Sequence, residues 1–148
     1  MNNGFFTKQE TESKERPNGK RQSCASCGAY KGCVTPKMKP YGNFRKSILI
    51  IGDAPDRRSD QAGKPWQGST GKHLERALET LGISLFDDCL SLYSCMCRCS
   101  GEKDEDRLPT NLEIDSCRKT VLKTIDEYAP KVIILLGIQA TYSLIGHR

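Results

Sequence analysis

The chain has 148 residues, which suits one domain, and 36% of them are hydrophobic. It has no apolar run long enough to cross a bilayer and no apolar N-terminal core of a signal peptide, so a cytoplasmic protein is expected. The formal net charge of +5 is compatible with a polyanionic partner such as nucleic acid, although many basic proteins bind none.

The first 23 residues are polar, charged and poor in apolar side chains, and they predict a disordered tail. One folded domain is expected over residues 24–148. This part contains all eight cysteines of the chain. Disulfides are disfavoured in a reducing compartment, so clustered cysteines indicate metal or redox chemistry.

Strands and helices alternate along the predicted domain. Apolar runs predict strands at residues 47–51, 89–94 and 131–136. Helical spacing or capping signals predict helices over residues 74–81, from a Thr110–Glu113 capping box to Pro130, and over residues 138–145. This order predicts an α/β fold, in which a parallel sheet has right-handed crossovers and helices on both faces.

Two long polar loops follow the first two predicted strands, at residues 53–71 and 95–109. Ligands of open α/β sheets bind at the carboxyl ends of the strands. Both loops are therefore expected to border one shared site.

The cysteine spacing predicts a metal site. Cys24 and Cys27 form a CxxC pair, which can hold one metal ion or one side of a cluster. Cys97 follows the second strand and Cys117 lies on the inner face of the next helix, so a Cys₄ site for a [4Fe–4S] cluster or zinc is possible. Cys117 could instead be a core residue, and Cys89 is interpreted as a strand residue without a role. Three further cysteines compete as ligands: Cys33, Cys95 and Cys99.

Four motifs occur in order along the chain. They are Cys24–Cys27, Ile-Ile-Gly-Asp-Ala-Pro at 50–55, Gly-Lys-Pro-Trp-Gln-Gly-Ser-Thr-Gly at 63–71, and the segment from Cys97-Arg98 through Asp106-Arg-Leu-Pro-Thr to Cys117. Together they resemble the iron–sulfur uracil-DNA glycosylases over residues 24–146. The resemblance implies a three-layer fold, a [4Fe–4S] cluster on Cys24, Cys27, Cys97 and Cys117 rather than zinc, and excision of uracil from DNA.

The resemblance also implies roles for individual residues. Asp53 would be the carboxylate that positions water and stabilises the cationic sugar, and Asp60 matches a second acidic position. Trp66 stands where a family Phe would stack on the flipped base. Each has a structural alternative: a capping residue for Asp53, a solvated loop residue for Asp60 and a packed ring for Trp66. The other residues implied in base or DNA binding are Gly52, Ala54, Pro55, Gly68, Gly71, Tyr93, Arg98 and Arg107.

Several positions depart from the family's pattern. The chain has Asp56 in place of Gly, Ser59 in place of Glu, Tyr93 in place of the uracil-reading Asn, and Asp106 in place of Asn. A phenol cannot both donate and accept along the uracil edge as an amide does. The acidic segment, residues 102–106, should repel phosphate. The sheet is expected to be truncated before the family's His-Pro-Ser motif, and His147 lies too early to be that histidine.

Three hypotheses follow. The first is a uracil-DNA glycosylase, active in its full form on uracil-containing or single-stranded DNA. The second is a non-catalytic domain that retains the cluster and is associated with a viral DNA polymerase or replication protein. The third is a small zinc-binding α/β protein without a role on DNA.

Overall fold

Three parallel strands form the sheet of the computed structural model, which describes residues 24–146. They are β1 (Ile48–Gly52), β2 (Cys89–Tyr93) and β3 (Val132–Leu136), in the order β2-β1-β3. In the central strand, Ile51 pairs with Leu92 on one side and with Leu135 on the other. The predicted parallel sheet is confirmed. The predicted tail and His147 lie outside the described residues.

The described helices are α1 (Cys24–Cys27), a 3₁₀ turn (Ala29–Gly32), α2 (Arg57–Ala62), α3 (Ser69–Glu79), α4 (Asn111–Tyr128) and α5 (Ile138–Ile145). The predicted capping box starts α4: the Thr110 hydroxyl accepts the Glu113 amide at 3.3 Å, and the Thr110 amide donates to Glu113 at 2.8 Å. The predicted bounds of α5 are confirmed. None of these helices has the length and apolar character needed to cross a membrane.

The prediction of an unbroken loop over residues 53–71 is wrong. This segment contains α2 and the first turn of α3. The Asp56 carboxylate caps α2 by accepting the Ser59 amide at 2.7 Å, and Gly63 ends it with a φ of 65°. Residues 57–62 have no apolar periodicity, so only the capping residues mark this helix in the sequence.

Helices cover both faces of the sheet, as predicted for a three-layer fold. On one face, Leu49 and Leu92 pack with Val121 of α4 and with Ala140 and Leu144 of α5. On the other face, Ile50 packs in a cluster that contains Leu78 of α3 and Trp66. The alternation of side chains along β1 thus divides the core into two halves.

Candidate active-site cleft and cysteine cavity

A cleft of about 490 Å³ lies at the carboxyl ends of β1 and β2. It is bordered by the segment after β1, with Asp53 and Trp66, and by the segment after β2, with Arg107 and Pro109. The prediction that both segments face one site is therefore confirmed. Gly52, Ala54, Pro55, Gly71 and Tyr93 also line the cleft, together with Asp56 and Ser59.

Asp53 lines the cleft and also caps a distant helix. Its Oδ1 accepts the Ala140 amide at 2.9 Å, so the carboxylate lies at the N-terminus of α5. A Cβ at Gly137 would come within 2.2 Å of Asp53 Oδ2, so this approach requires glycine. Its backbone is fixed as well, because the carbonyl accepts the Ser94 hydroxyl at 2.7 Å. The hydrogen bond from the Ala140 amide sets the orientation of the carboxylate.

Trp66 and Tyr93 form one wall of the cleft. Their ring centroids are 5.1 Å apart, and the Tyr93 hydroxyl accepts the Trp66 backbone N–H at 3.1 Å. Only 9% of Trp66 is exposed, because its ring also packs over Gly52, where a Cβ would come within 2.5 Å of it. Burial raises the pKa of Tyr93, so the phenol stays neutral. The ring is therefore packed against protein rather than freely exposed.

Ser59 is a residue of this wall that the sequence reading did not assign. Its hydroxyl accepts the Gln67 backbone N–H at 3.1 Å, and it also hydrogen bonds with Tyr93. The pattern Asp56-x-x-Ser59 followed by Gly63 could have indicated the short helix that orients it.

Asp60 lies outside the cleft. Only 1% of the residue is exposed, and its two carboxylate oxygens accept the amides of Val34 at 2.9 Å and Thr35 at 2.8 Å. The α2 helix directs this side chain toward the segment that precedes β1. Asp60 was predicted to be catalytic or, alternatively, a solvated loop residue. In the structure it is a buried helical residue that binds the backbone of a distant segment.

The two arginines predicted to bind DNA are held by carboxylates. Arg98 is 5% exposed and its guanidinium pairs with Asp106 at 2.6 Å and with Asp104 at 2.7 Å. Arg107 pairs with Glu113 at 2.7 Å. Asp104 also pairs with Arg57. The acidic segment therefore folds back onto the basic residues beside the cleft. Gly68, also predicted to bind DNA, lies against the Asp56 carboxylate.

The four predicted metal ligands line one cavity of about 160 Å³, which we call the cysteine cavity. Cys24 and Cys27 come from α1, Cys97 from the segment after β2, and Cys117 from α4. Cys97 Sγ accepts the Lys37 amide at 3.3 Å. Cys95 lines the same cavity, whereas Cys33 and Cys99 do not line it. Cys89 packs on the opposite face of the sheet.

Three of the predicted ligands, Cys27, Cys97 and Cys117, have raised thiol pKa values in the metal-free chain. Burial raises the pKa of Cys27 and Cys97, and that of neighbouring Cys33 to about 12. The pKa of Cys117 is raised by its hydrogen bond with Cys95 and by burial. Metal binding must therefore release protons. Among residues 24–146, no three His, Cys, Asp or Glu side chains converge as ligands of a single metal ion.

The fold and the cleft together describe an α/β domain with its site at the carboxyl edge of a parallel sheet. The sequence profile of the uracil DNA glycosylase superfamily matches residues 39–147, and the chain belongs to this superfamily. It is 30% identical over 115 residues to a type-4 uracil-DNA glycosylase of Archaeoglobus fulgidus. These 115 residues are 78% of this chain and 55% of that protein.

Two further relatives carry the same name. The type-4 uracil-DNA glycosylase of Pyrobaculum aerophilum is 30% identical over 110 residues, which are 72% of this chain and 54% of the relative. That of Saccharolobus solfataricus is 35% identical over 101 residues, 68% of this chain and 44% of the relative. The chain thus spans about half the length of the curated relatives it matches. The resemblance stated from the motifs is confirmed.

Proposed function

We propose that the domain takes part in excising uracil from DNA and that the cleft receives the flipped base. The observation that carries the proposal is Asp53, whose carboxylate is fixed by α5 where it borders a cleft of about 490 Å³. The names of the relatives support the same activity.

The chemistry of the cleft fits this reaction. Breaking the N-glycosidic bond develops positive charge on the sugar, and an oriented carboxylate stabilises that charge and positions the attacking water. The Ala140 amide holds Asp53 in place before substrate arrives. Trp66 and Tyr93 supply an apolar wall for a base removed from the stack.

We further propose that Cys24, Cys27, Cys97 and Cys117 hold a [4Fe–4S] cluster. Four thiols at one cavity and an amide donor to Cys97 suit thiolate ligation of a cluster. Zinc would need its sulfurs within about 2.3 Å of one point, whereas a cluster binds each thiolate through a different iron. When bound, the cluster would join α1, α4 and the segment after β2 and stabilise the fold.

A second candidate is a domain that retains the fold and cluster but does not excise uracil. It is favoured by Tyr93, whose hydroxyl is occupied by the Trp66 amide, and by the carboxylates that hold Arg98 and Arg107. Association with a polymerase stays a prediction. The comparisons give no support to a zinc protein without a role on DNA.

Release of uracil from a defined oligonucleotide tests the first candidate. Asp53→Asn is the informative variant, because the amide oxygen can still accept the Ala140 N–H while the negative charge is lost. Asp126→Asn, at an exposed position of α4, is the matched control. The proposal predicts release by the wild type and the control and loss of release in Asp53→Asn. A cluster-loaded wild type that releases no uracil would favour the second candidate.

A further inference from the structure

We propose that Asp60 is a positioning residue that couples the cysteine cavity to the Trp66–Tyr93 wall of the cleft. The inference rests on the proposed function for the cluster and for the role of the cleft. It assigns to Asp60 a mechanical link between the two sites, in place of contact with substrate.

The first half of the link runs from Asp60 to the cysteines. Its carboxylate holds the amides of Val34 and Thr35, and the Thr35 hydroxyl donates to the Asp60 carbonyl at 2.7 Å. Immediately afterwards, the Lys37 amide donates to Cys97 Sγ at 3.3 Å, and the Met38 amide donates to the Met96 carbonyl at 2.8 Å. Residues 34–38 therefore connect α2 to a predicted cluster ligand.

The second half of the link runs from Asp60 to the cleft. Ser59, the preceding residue of α2, accepts the Gln67 amide at 3.1 Å and hydrogen bonds with Tyr93. The Ser59 carbonyl also accepts the Lys64 amide at 3.2 Å. Trp66 lies between these two contact points. A shift of α2 must therefore move the segment that carries the Trp66 ring.

The burial of Asp60 makes the link strong. A carboxylate with 1% exposure is stable there only if its oxygens are hydrogen bonded, and the two amides meet this need. Asparagine has the same shape but only one acceptor oxygen, so it can keep just one of these bonds. Asp60→Asn should thus loosen residues 34–35 without opening a cavity.

The first readout is the lifetime of the cluster in anaerobically purified protein. Visible absorbance is followed after addition of an iron chelator. We expect Asp60→Asn to lose its cluster about tenfold faster than the wild type, the change that one lost hydrogen bond to a charged group produces. Asp126→Asn should match the wild type. Equal lifetimes for Asp60→Asn and the wild type would contradict the proposal.

The second readout is the emission wavelength of Trp66, the only tryptophan of the chain. In the wild type, removal of the cluster should shift this wavelength, because α2 transmits the loosening to the cleft wall. In Asp60→Asn the shift should already be present with the cluster bound. Ser59→Ala removes only the hydroxyl contacts with the cleft wall. This variant should keep the wild-type cluster lifetime, but its Trp66 emission should no longer shift when the cluster is removed. A purely structural role would alter both readouts together in both variants, which would overturn the proposal.

Thr35→Val provides a test if Asp60→Asn does not fold. It removes the hydroxyl bond to the Asp60 carbonyl but retains both amide bonds, so a smaller acceleration of cluster loss is expected. An unchanged lifetime would contradict the link. A chain that binds no iron and sulfide would contradict the proposed function instead. The link would then be judged on metal-free protein, where Asp60→Asn must still speed hydrogen exchange at Val34 and Thr35 and shift Trp66 emission.

Discussion

At the scale of single residues, Tyr93 is the departure from the family pattern whose structural role is clearest. Its ring packs against Trp66. Its hydroxyl accepts the backbone N–H of Trp66, and Ser59 contacts the same hydroxyl. These contacts lie within the protein, so Tyr93 stabilises the wall of the cleft. It does not reproduce the donor and acceptor pair of an amide facing uracil.

Tyr93→Phe should lower the free energy of unfolding by about 1 to 2 kcal/mol, because the buried Trp66 N–H loses its acceptor. Urea denaturation followed by Trp66 fluorescence measures this change. Tyr128→Phe is the matched control, since Tyr128 is 40% exposed and its ring contact with Phe44 does not need the hydroxyl. Equal stabilities of the two variants would show that the Tyr93 hydroxyl bond contributes nothing.

The positions of the cleft residues could be predicted from the sequence, but most of their side-chain contacts could not. Asp53 was expected at the end of β1 and lies there, because a strand followed by a polar loop is a local pattern. The partners of Asp60 are 25 and 26 residues away along the chain, and no local pattern identifies them. The carboxylate partners of Arg98 are nearer in sequence, at positions 104 and 106, but the irregular segment between them has no periodic pattern that would pair them.

At the scale of elements, the acidic segment, residues 102–106, forms ion pairs with two arginines. Asp104 pairs with both Arg57 and Arg98, and Asp106 pairs with Arg98. Hydrogen bonds from the Arg98 guanidinium lower the pKa of Asp104, so this carboxylate is ionised at neutral pH. A DNA phosphate would have to displace it to reach Arg57.

Asp104→Asn should therefore tighten binding to a short oligonucleotide at low salt. If Arg57 gains one phosphate contact, the slope of log affinity against log salt becomes steeper by about 0.7 to 0.9. Fluorescence anisotropy titrations over a range of salt concentrations measure both quantities. Glu102→Gln makes the same change of net charge elsewhere in the segment. Equal gains in both variants would indicate a general charge effect and remove the argument for competition at Arg57.

The start of α4 has a pH-sensitive contact. Burial disfavours ionisation of Glu113, but hydrogen bonds from Arg107 and Thr110 outweigh it and lower the Glu113 pKa to about 2 from 4.5. The pKa of Glu113 is thus lower in the folded protein than in the unfolded chain. Its carboxylate contributes stability above the unfolded pKa, and this contribution is lost as the pH falls toward the folded pKa.

Wild-type stability should therefore fall as the pH drops from about 5 to about 3, and Glu113→Gln should reduce that dependence. Urea midpoints measured across this pH range give the comparison. Glu127→Gln, at an exposed position of α4, is the control and should keep the wild-type profile. A Glu113→Gln profile parallel to the wild type would contradict the assignment.

Sequence patterns identified the larger elements more reliably than the short one. The strands were located because continuous apolar runs are typical of buried parallel sheets, and α4 was located by its capping box. The α2 helix was missed because its six residues carry no apolar face and depend on Asp56, Ser59 and Gly63 for their limits. Short polar helices are set by caps and tertiary contacts, which periodicity does not record.

At the scale of the whole molecule, the fold places two sites around one sheet. The cleft lies at the carboxyl ends of β1 and β2, and the cysteine cavity lies where α1 meets α4 and the segment after β2. The proposed function assigns base binding to the first site and a cluster on four cysteines to the second. The cluster would then tie the N-terminal segment of the described domain to its core.

The proposed ligands of an iron–sulfur cluster in this uracil-DNA glycosylase-type domain are Cys24, Cys27, Cys97 and Cys117. The most direct measurement is to purify the chain without oxygen, record its visible spectrum and determine iron, sulfide and zinc on the same sample. Cys97→Ala and Cys89→Ala provide a ligand variant and a control on the opposite face of the sheet. This ligand assignment predicts about four iron and about four sulfide per chain in the wild type and in Cys89→Ala, with loss in Cys97→Ala. A colourless wild-type protein that contains one zinc, or no metal, would contradict it.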